Sequence, residues 1–193
     1  MTTVRIGMLA WRVVEPPTVA SLWDLKEMAP EGELDLHYGD ARVTRARSTV
    51  ATRFLRDSTA AVLVTVDSDI VFNPPNLLQI AEQADELQAI VVGAYCTRSW
   101  SSGQVTAYLG EEPIRFANDP TPREIVWGAS GFMAIPRVLF ERMRDELDMP
   151  LMHASKGRDL QFYPFYECPR GKAPNGDDIP MSGVAPDAVH FTA

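Results

Sequence analysis

The stretch that decides the fold runs from Thr59 to Pro75 and reads TAAVLVTVDSDIVFNPP. Its first part, Ala60 to Val66, is apolar except for Thr65 and is rich in β-branched side chains. This composition is typical of a short strand buried on both faces, as in the middle of a parallel sheet. The run ends at Asp67-Ser68-Asp69, and Asn73-Pro74 is typical of an N-cap and first residue of a following helix.

Asp67 and Asp69 follow this strand one residue apart. Because side chains along a strand alternate with period two, we expect both carboxylates to point the same way. Carboxylates at the carboxyl edge of a parallel sheet are suited to a hard divalent cation that also binds phosphate oxygens. The alternative is a simple turn, since Asp and Ser are common turn formers.

Strands and helices alternate on both sides of this stretch. Apolar or alternating segments predict strands, and segments with helical spacing and Pro starts predict helices. In chain order we predict strands at Val4–Trp11, Glu33–Tyr38, Ala60–Val66 and Ala89–Tyr95, and helices starting at Pro16, near Thr44 and at Pro74. This order predicts a Rossmann-like three-layer α/β/α fold with a mostly parallel mixed sheet.

The spacing of side chains also predicts which helix faces are buried. In the first helix it directs Val19, Leu22, Trp23 and Leu25 toward the core. In the second helix Val50 and Phe54 form the inner face, and the arginines are expected elsewhere; these are Arg45, Arg47, Arg53 and Arg56.

The second half of the chain is more broken. Gln104–Leu109 and Glu124–Trp127 predict additional antiparallel strands, and Gly128 to Gly131 predicts a loop. A helix is expected from Pro136 to Leu147, with loops and a short tail after Cys168. We expect one domain over 1–193, with a nucleotide-binding half (1–100) and an acceptor-side half (101–193).

Composition limits the classes of function. The chain has 193 residues, 46% of them hydrophobic, and a net charge of −8, so a globular protein is expected and duplex DNA is a less favoured partner. It has two cysteines and no C-x-x-C pair, which fits a reducing cytoplasm. No leader and no apolar run of membrane-spanning length is evident, so we expect a cytoplasmic protein without a membrane span.

Several short motifs occur in a fixed order along the chain. They are Ala46-Arg47, Asp67-Ser68-Asp69, Gly93-Ala94-Tyr95, Gly128-Ala129-Ser130-Gly131-Phe132-Met133-Ala134-Ile135-Pro136-Arg137, Gly176-Asp177-Asp178 and His190. In this order the chain resembles glycosyltransferases of the GT-A fold, closest to the family 2-like enzymes found in bacteriophages. Two features depart from that pattern: the family's G-E-D is Gly-Asp-Asp here, and the helix that usually precedes the late His is absent from the sequence between them.

The resemblance implies the site residues of a sugar transfer. Asp69 would bind Mn²⁺ or Mg²⁺ directly, Asp67 would bind it through water or hold the ribose, and His190 would complete the shell. Asp178 would be the catalytic base of an inverting transfer, with Asp177 orienting the acceptor. The alternatives are a backbone-bonded tail histidine and a solvated acidic loop.

Other residues are candidates for the nucleotide and donor sugar. Ala10 and Trp11 follow the first strand, where a nucleobase would lie, and Ser68 lies between the two carboxylates. Asp40 follows the second strand and is expected to accept a hydrogen bond from the base, unless it only ends a turn. The resemblance places Arg47 facing the nucleotide, where a planar cation suits a phosphate or a base edge.

Gly128 and Gly131 are expected to let the backbone approach the donor sugar, the alternative being a plain turn between strand and helix.

We therefore predict a metal-dependent glycosyltransferase that uses a UDP- or GDP-sugar, in the host cytoplasm if it is encoded by a phage. The acceptor stays open between a protein, a glycan and a modified base. The alternative is a catalytically impaired nucleotide- or glycan-binding module on the same fold, because the C-terminal part is short. A nucleotidyltransferase is less favoured, since Trp11-Arg12-Val13-Val14 is not a glycine-rich basic loop.

Overall fold

The computed structural model describes residues 2–96, 105–110, 121–153 and 161–166 with side chains, and residues 170–172, 178–180 and 191–192 as backbone. In chain order its elements are β1 (Val4–Ala10), α1 (Pro16–Met28), β2 (Glu33–Tyr38), α2 (Val43–Asp57), β3 (Val62–Asp67), α3 (Pro74–Leu87), β4 (Ile90–Val92), β5 (Ala107–Tyr108), β6 (Glu124–Ile125), β7 (Trp127–Gly128), β8 (Phe132–Pro136), α4 (Arg137–Glu146), β9 (Met152–His153), β10 (Gln161–Phe162), β11 (Arg170–Lys172), β12 (Asp178–Pro180) and β13 (Phe191–Thr192).

The central sheet has the strand order β2-β1-β3-β8-β4-β13-β6. Strands β2, β1 and β3 are parallel, whereas β8 is antiparallel to both β3 and β4. Because β8 lies between β3 and β4, those two strands point the same way. The predicted fold class, a Rossmann-like mixed sheet that is mostly parallel, is confirmed.

Helices cover both faces of this sheet and produce two apolar layers. On one face α1 and α3 bury Leu25, Leu77 and Ile80 against β1 and β3. On the other face α2 and α4 bury Phe54 and Phe140. The chain runs from β1 to β2 on one side of β1 and then returns to β3 on its other side, which explains why α1 and α2 lie on opposite faces.

The apolar face predicted for α1 is wrong at two positions. Val19 and Trp23 are 48% and 69% exposed, whereas Thr18, Ser21 and Leu25 are the buried residues of this helix. The Ser21 hydroxyl accepts a hydrogen bond from the Phe72 backbone N–H, so a polar side chain serves the buried face. Residues 18, 21, 22 and 25 have helical spacing, as the four predicted residues do. Because Thr18 and Ser21 are small and polar, hydrophobicity did not identify this face as the buried one.

The buried face of α2 also differs from the prediction. Arg47 is 5% exposed and lies on the same face as Val50, Ala51 and Phe54. These positions are spaced i, i+3, i+4 and i+7, which is the periodicity of one helix face. Arg47 therefore belongs to the inner face, and the expectation that it lies elsewhere is wrong.

Among the described residues, the second half contributes strands to the central sheet and to three two-stranded sheets. The predicted segment Gln104–Leu109 contains β5, which pairs with β7 outside the central sheet. The predicted segment Glu124–Trp127 contains β6, which pairs antiparallel with β13 at the edge of the central sheet. Strand β13 joins parallel to β4, so the segment predicted as a tail supplies a strand. Leu147 lies just beyond α4 and is 54% exposed, so the predicted helix is one residue too long.

Arg137 joins the start of α4 to the end of α2. Its guanidinium donates hydrogen bonds to the carbonyls of Phe54, Leu55, Ser58 and Ala60 at 2.7–3.2 Å and lies 4.4 Å from the centre of the Phe54 ring. A cation at the C-terminal carbonyls of a helix is favourable for both charge and hydrogen bonding. This arginine of the long glycine-containing motif thus has a structural role.

Candidate active site at the carboxyl edge of the sheet

The candidate site lies where the strand order reverses. Because β1, β2 and β3 are parallel neighbours, their carboxyl ends meet at one edge of the sheet, with Leu9 beside Asp67 in register. Strand β8 is antiparallel to β3 and therefore starts at the same edge. In open α/β sheets, ligands bind in the crevice outside the carboxyl ends of strands at such a reversal.

A cleft of about 470 Å³ opens at this edge. Six of the residues predicted from the sequence line it together: Ala10, Trp11, Asp40, Asp67, Ser68 and Asp69. They come from the ends of three different strands and are as far as 59 positions apart in the chain, between Ala10 and Asp69. The fold therefore brings the nucleobase candidates and the two carboxylates into one space.

Asp67 is held by Arg47. Arg47 Nη2 lies 2.6 Å from Asp67 Oδ1, and Arg47 Nη1 donates to the Ser130 carbonyl oxygen. Burial raises the pKa of Asp67, the Arg47 charge opposes this effect, and the nearby Asp69 charge adds to it. The Arg47 side chain is 6% exposed, so its guanidinium is engaged inside the protein and orients one oxygen of Asp67.

Gly131 packs directly against the Asp67 carboxylate. A Cβ at this position would collide with the Tyr95 hydroxyl oxygen and would lie 2.9 Å from Asp67 Oδ2. The Asp67 backbone N–H donates to the Gly131 carbonyl at 2.8 Å. Glycine is therefore required here by the approach of a carboxylate and a phenol, whereas the expected approach of the backbone to a donor sugar stays a prediction.

Gly128 has a different reason to be glycine. A Cβ there would lie 2.7 Å from a Val92 methyl and 2.9 Å from Ile125 Cδ1. These are core side chains, so the structure explains Gly128 by packing.

Asp40 anchors the turn between β2 and α2. Arg45 Nε donates to its Oδ2 at 2.8 Å, and Arg45 Nη2 and the Arg42 backbone N–H donate to its Oδ1 at 2.6 Å and 3.0 Å. The hydrogen bonds from Arg45 lower the pKa of Asp40, which is ionised at neutral pH as a result. Asp40 thus ends a turn, as one reading of the sequence expected, and also lines the cleft.

Two residues of the site were not among those predicted from sequence. The Tyr95 hydroxyl packs against Gly131, as the Asp67 carboxylate does, and burial raises the pKa of the Tyr95 phenol. His37 lines the cleft beside Asp40 and is 7% exposed. The Gly-x-Tyr motif pointed to Tyr95, whereas His37 lies in β2, where the alternation of polar and apolar residues places it on the expected exposed face although it is buried.

The remaining predicted residues lie at the limit of what the structure describes. Asp178 begins β12, and its backbone pairs with Lys172 of β11. Asp177 and His190 lie outside the described residues.

Within the described ranges there is no group of three or more His, Cys, Asp or Glu side chains that could hold a metal ion. No described helix has the length and hydropathy needed to cross a membrane.

Comparisons with known proteins add a likeness of fold. No protein-family model matches the sequence, and no curated protein matches it. The solved structure of A197 from STIV has a TM-score of 0.55 and 16% identity, over 72% of this chain and 68% of A197. The likeness to A197 shows the fold.

A further structure, 4-diphosphocytidyl-2C-methyl-D-erythritol synthase from Anaerococcus prevotii, has a TM-score of 0.41 and 10% identity over 80% of each chain. A likeness at that level says nothing about the activity of this chain.

Proposed function

We propose that this chain is a glycosyltransferase that binds a nucleotide-diphospho-sugar in the cleft at the ends of β1, β2 and β3. The observation that supports the proposal is the meeting of Asp67 and Asp69 with Trp11 and Asp40 in one cleft of about 470 Å³. A diphosphate needs a site that offsets its charge, and a base needs a flat surface and polar edge groups. Asp67 and Asp69 would meet the first need through a bound cation, and Trp11 with Asp40 would meet the second.

The base end of the cleft lies beside β1 and β2. The Trp11 side chain is 52% exposed although it is large and aromatic. An exposed indole at a cleft is a surface on which a base can stack. We infer that the nucleobase lies against Trp11, with its polar edge toward Asp40.

The diphosphate end lies at Asp67 and Asp69. Their oxygen atoms are of the type that Mg²⁺ and Mn²⁺ prefer, and such ions are commonly held by one or two carboxylates together with substrate phosphates and water. The chemistry of the donors fits: Asp67 and Asp69 line the cleft, Arg47 hydrogen-bonds to Asp67 Oδ1, and Asp67 Oδ2 lies against Gly131. The charge of Asp69 raises the pKa of Asp67, and a cation bound beside the two carboxylates would relieve this repulsion. When bound there, the ion would offset the negative charge of the diphosphate leaving group.

Arg47 and Gly131 have supporting roles in this proposal. Arg47 fixes the rotamer of Asp67 and ties it to the Ser130 carbonyl at the start of β8. We infer that Gly131, which lets the Asp67 carboxylate and the Tyr95 hydroxyl approach the backbone, keeps Asp67 in place beside the donor sugar. We infer that Asp178 removes the proton from the acceptor hydroxyl and that Asp177 orients the acceptor, in an inverting transfer. His190 is proposed to complete the metal ligands.

The test is a thermal-shift panel of UDP-, GDP-, CMP- and dTDP-sugars with and without Mn²⁺. A ligand at a hundred times its dissociation constant adds about 2.7 kcal/mol to the free energy of unfolding, which is readily measured. The Asp69→Asn variant should lose the Mn²⁺-dependent shift. The matched control is Asp24→Asn, which changes an exposed Asp on α1 and should keep the shift in full.

Transfer is tested separately from binding. Asp178→Asn should keep the donor-induced shift and lose transfer of sugar to an acceptor. Donor binding by the wild type without hydrolysis or transfer would favour the binding-module alternative. An absence of any shift with all four donors would contradict the proposed function.

A further inference from the structure

One ring nitrogen of His37 makes no hydrogen bond to any of the residues that the structure describes. Its Nδ1 lies 3.1 Å from Arg53 Nη2, and a guanidinium can only donate. Nδ1 must therefore be the acceptor, so the proton of the neutral imidazole is on Nε2. Burial, and then the Arg53 charge, lower the pKa of His37, which keeps the ring neutral at pH 7.

The Nε2–H group finds no hydrogen-bond partner among the described residues, although the atom is buried. Its nearest carboxylate atom is Asp40 Oδ2 at 3.8 Å, which is beyond hydrogen-bonding distance. A buried donor without a partner costs about 1–3 kcal/mol. Such a cost is expected where a ligand supplies the missing acceptor, and His37 lines the cleft.

We propose that His37 reads the nucleobase: its Nε2–H donates to a carbonyl oxygen of the base while Asp40 Oδ2 accepts the adjacent ring N–H. This inference rests on the proposed function and deepens it. Asp40 Oδ2 receives one hydrogen bond among the described contacts, from Arg45 Nε, and a carboxylate oxygen can accept a second. The donor and the acceptor are 3.8 Å apart and both line the same cleft.

This pair selects a class of base. A carbonyl beside a ring N–H occurs at the edge of uracil, thymine and guanine. Cytosine and adenine instead present a ring nitrogen beside an amino group, whose N–H is less acidic and is the weaker donor to a carboxylate. The pair therefore favours nucleotides of uracil, thymine or guanine. Because Asp40 is ionised, its hydrogen bond from the ring N–H of the base is stronger than one to a neutral acceptor.

The experiment measures dissociation constants by calorimetry with Mn²⁺ present, for UDP, GDP, CDP, ADP and inorganic pyrophosphate. His37→Phe removes the donor and His37→Gln keeps an amide N–H near the position of Nε2. His153→Phe is the matched control, since His153 is exposed on β9 and does not line the cleft. Thermal melting of each variant checks that it folds.

We expect the wild type to prefer UDP or GDP to CDP and ADP. His37→Phe should weaken the preferred nucleotide about tenfold, corresponding to about 1.4 kcal/mol, and should leave pyrophosphate unchanged. His37→Gln should recover part of the loss. If His37→Phe does not fold, His37→Asn, whose shorter amide does not reach the position of Nε2, gives the measurement in its place.

Three results would overturn the inference while leaving the proposed function in place. They are an unchanged nucleotide affinity in both variants, an equal weakening of nucleotide and pyrophosphate, and a wild-type preference for CDP or ADP. A wild type that binds none of the nucleotides would overturn the proposed function and the inference together.

Discussion

The imidazole of His37 faces charges of both signs: Arg53 from α2, Asp35 from its own strand and Asp40 from the following turn. Burial and Arg53 lower the pKa of His37, and the two aspartates do not compensate for them. The unfolded chain, in which the histidine pKa is near 6.5, therefore binds the proton more readily than the folded chain does. The contribution of the neutral His37 to the free energy of unfolding is complete above pH 6.5 and is lost as the pH falls below that value.

We predict that the free energy of unfolding decreases from pH 7.5 to pH 5.5 by at most about 1.4 kcal/mol per pH unit from this residue. The measurement is urea denaturation of the wild type and of His37→Gln across this range. The variant should lose the part of the pH dependence that belongs to His37. Identical pH profiles for the two proteins would refute the prediction.

At Gly131 a single added methyl group would disturb the position of the Asp67 carboxylate. Gly131→Ala should displace Tyr95 or Asp67, because the new methyl group meets the Tyr95 hydroxyl and lies 2.9 Å from Asp67 Oδ2. We expect at least tenfold weaker binding of the preferred nucleotide with Mn²⁺, a loss of about 1.4 kcal/mol. The double variant Gly131→Ala with Tyr95→Phe removes the closest clash and should recover part of the affinity. A single variant with wild-type affinity would show that the contact is unimportant.

Strand β2 shows how an element can reverse the usual pattern of burial. Its apolar residues Leu34, Leu36 and Tyr38 are 51%, 37% and 47% exposed, whereas Asp35 and His37 are buried. Asp35 is held by Arg5 Nη2 at 3.0 Å and Arg53 Nη2 at 2.7 Å. The buried face of this edge strand is therefore a charge network that joins it to β1 and α2.

This reversal predicts effects of very different size for two neighbouring substitutions. Asp35→Asn should lower the free energy of unfolding by about 3 kcal/mol, because it leaves Arg5 and Arg53 without the charge they share. Leu36→Thr should change it by no more than about 0.5 kcal/mol, because a partly exposed edge residue contributes little. Chemical denaturation measures both. A larger loss for Leu36→Thr than for Asp35→Asn would contradict the observed orientation of β2.

The elements themselves were largely predictable from sequence. The alternation of apolar strands and helical segments predicts the existence of β1 to β4 and α1 to α3, although β4 (Ile90–Val92) is shorter than the predicted strand Ala89–Tyr95, and the Asp67-Ser68-Asp69 motif correctly marks a strand end. The faces were less predictable. On α1 small polar residues occupy the buried side, and on β2 ion pairs replace apolar contacts, so hydrophobicity alone points the wrong way at both Trp23 and His37.

At the scale of the whole molecule, the unpredicted features depend on contacts between distant parts of the chain. Strand β8 enters between β3 and β4 with Ala134 paired to both Val64 and Val91, and β13 pairs with Ile90 and Ile125. Local sequence patterns give no information about such partners. The cleft is different, because residues that follow parallel neighbouring strands must meet at one edge once the strand order is known.

The central claim is that this edge binds a nucleoside diphosphate, and a crystal structure tests it most directly. The crystal would contain the full chain, Mn²⁺ and the nucleotide that raises the melting temperature most. We expect the base against Trp11, with its polar edge at His37 and Asp40, and the diphosphate at Asp67 and Asp69. A nucleotide bound elsewhere on the molecule, or a cleft without nucleotide at saturating concentration, would contradict the account.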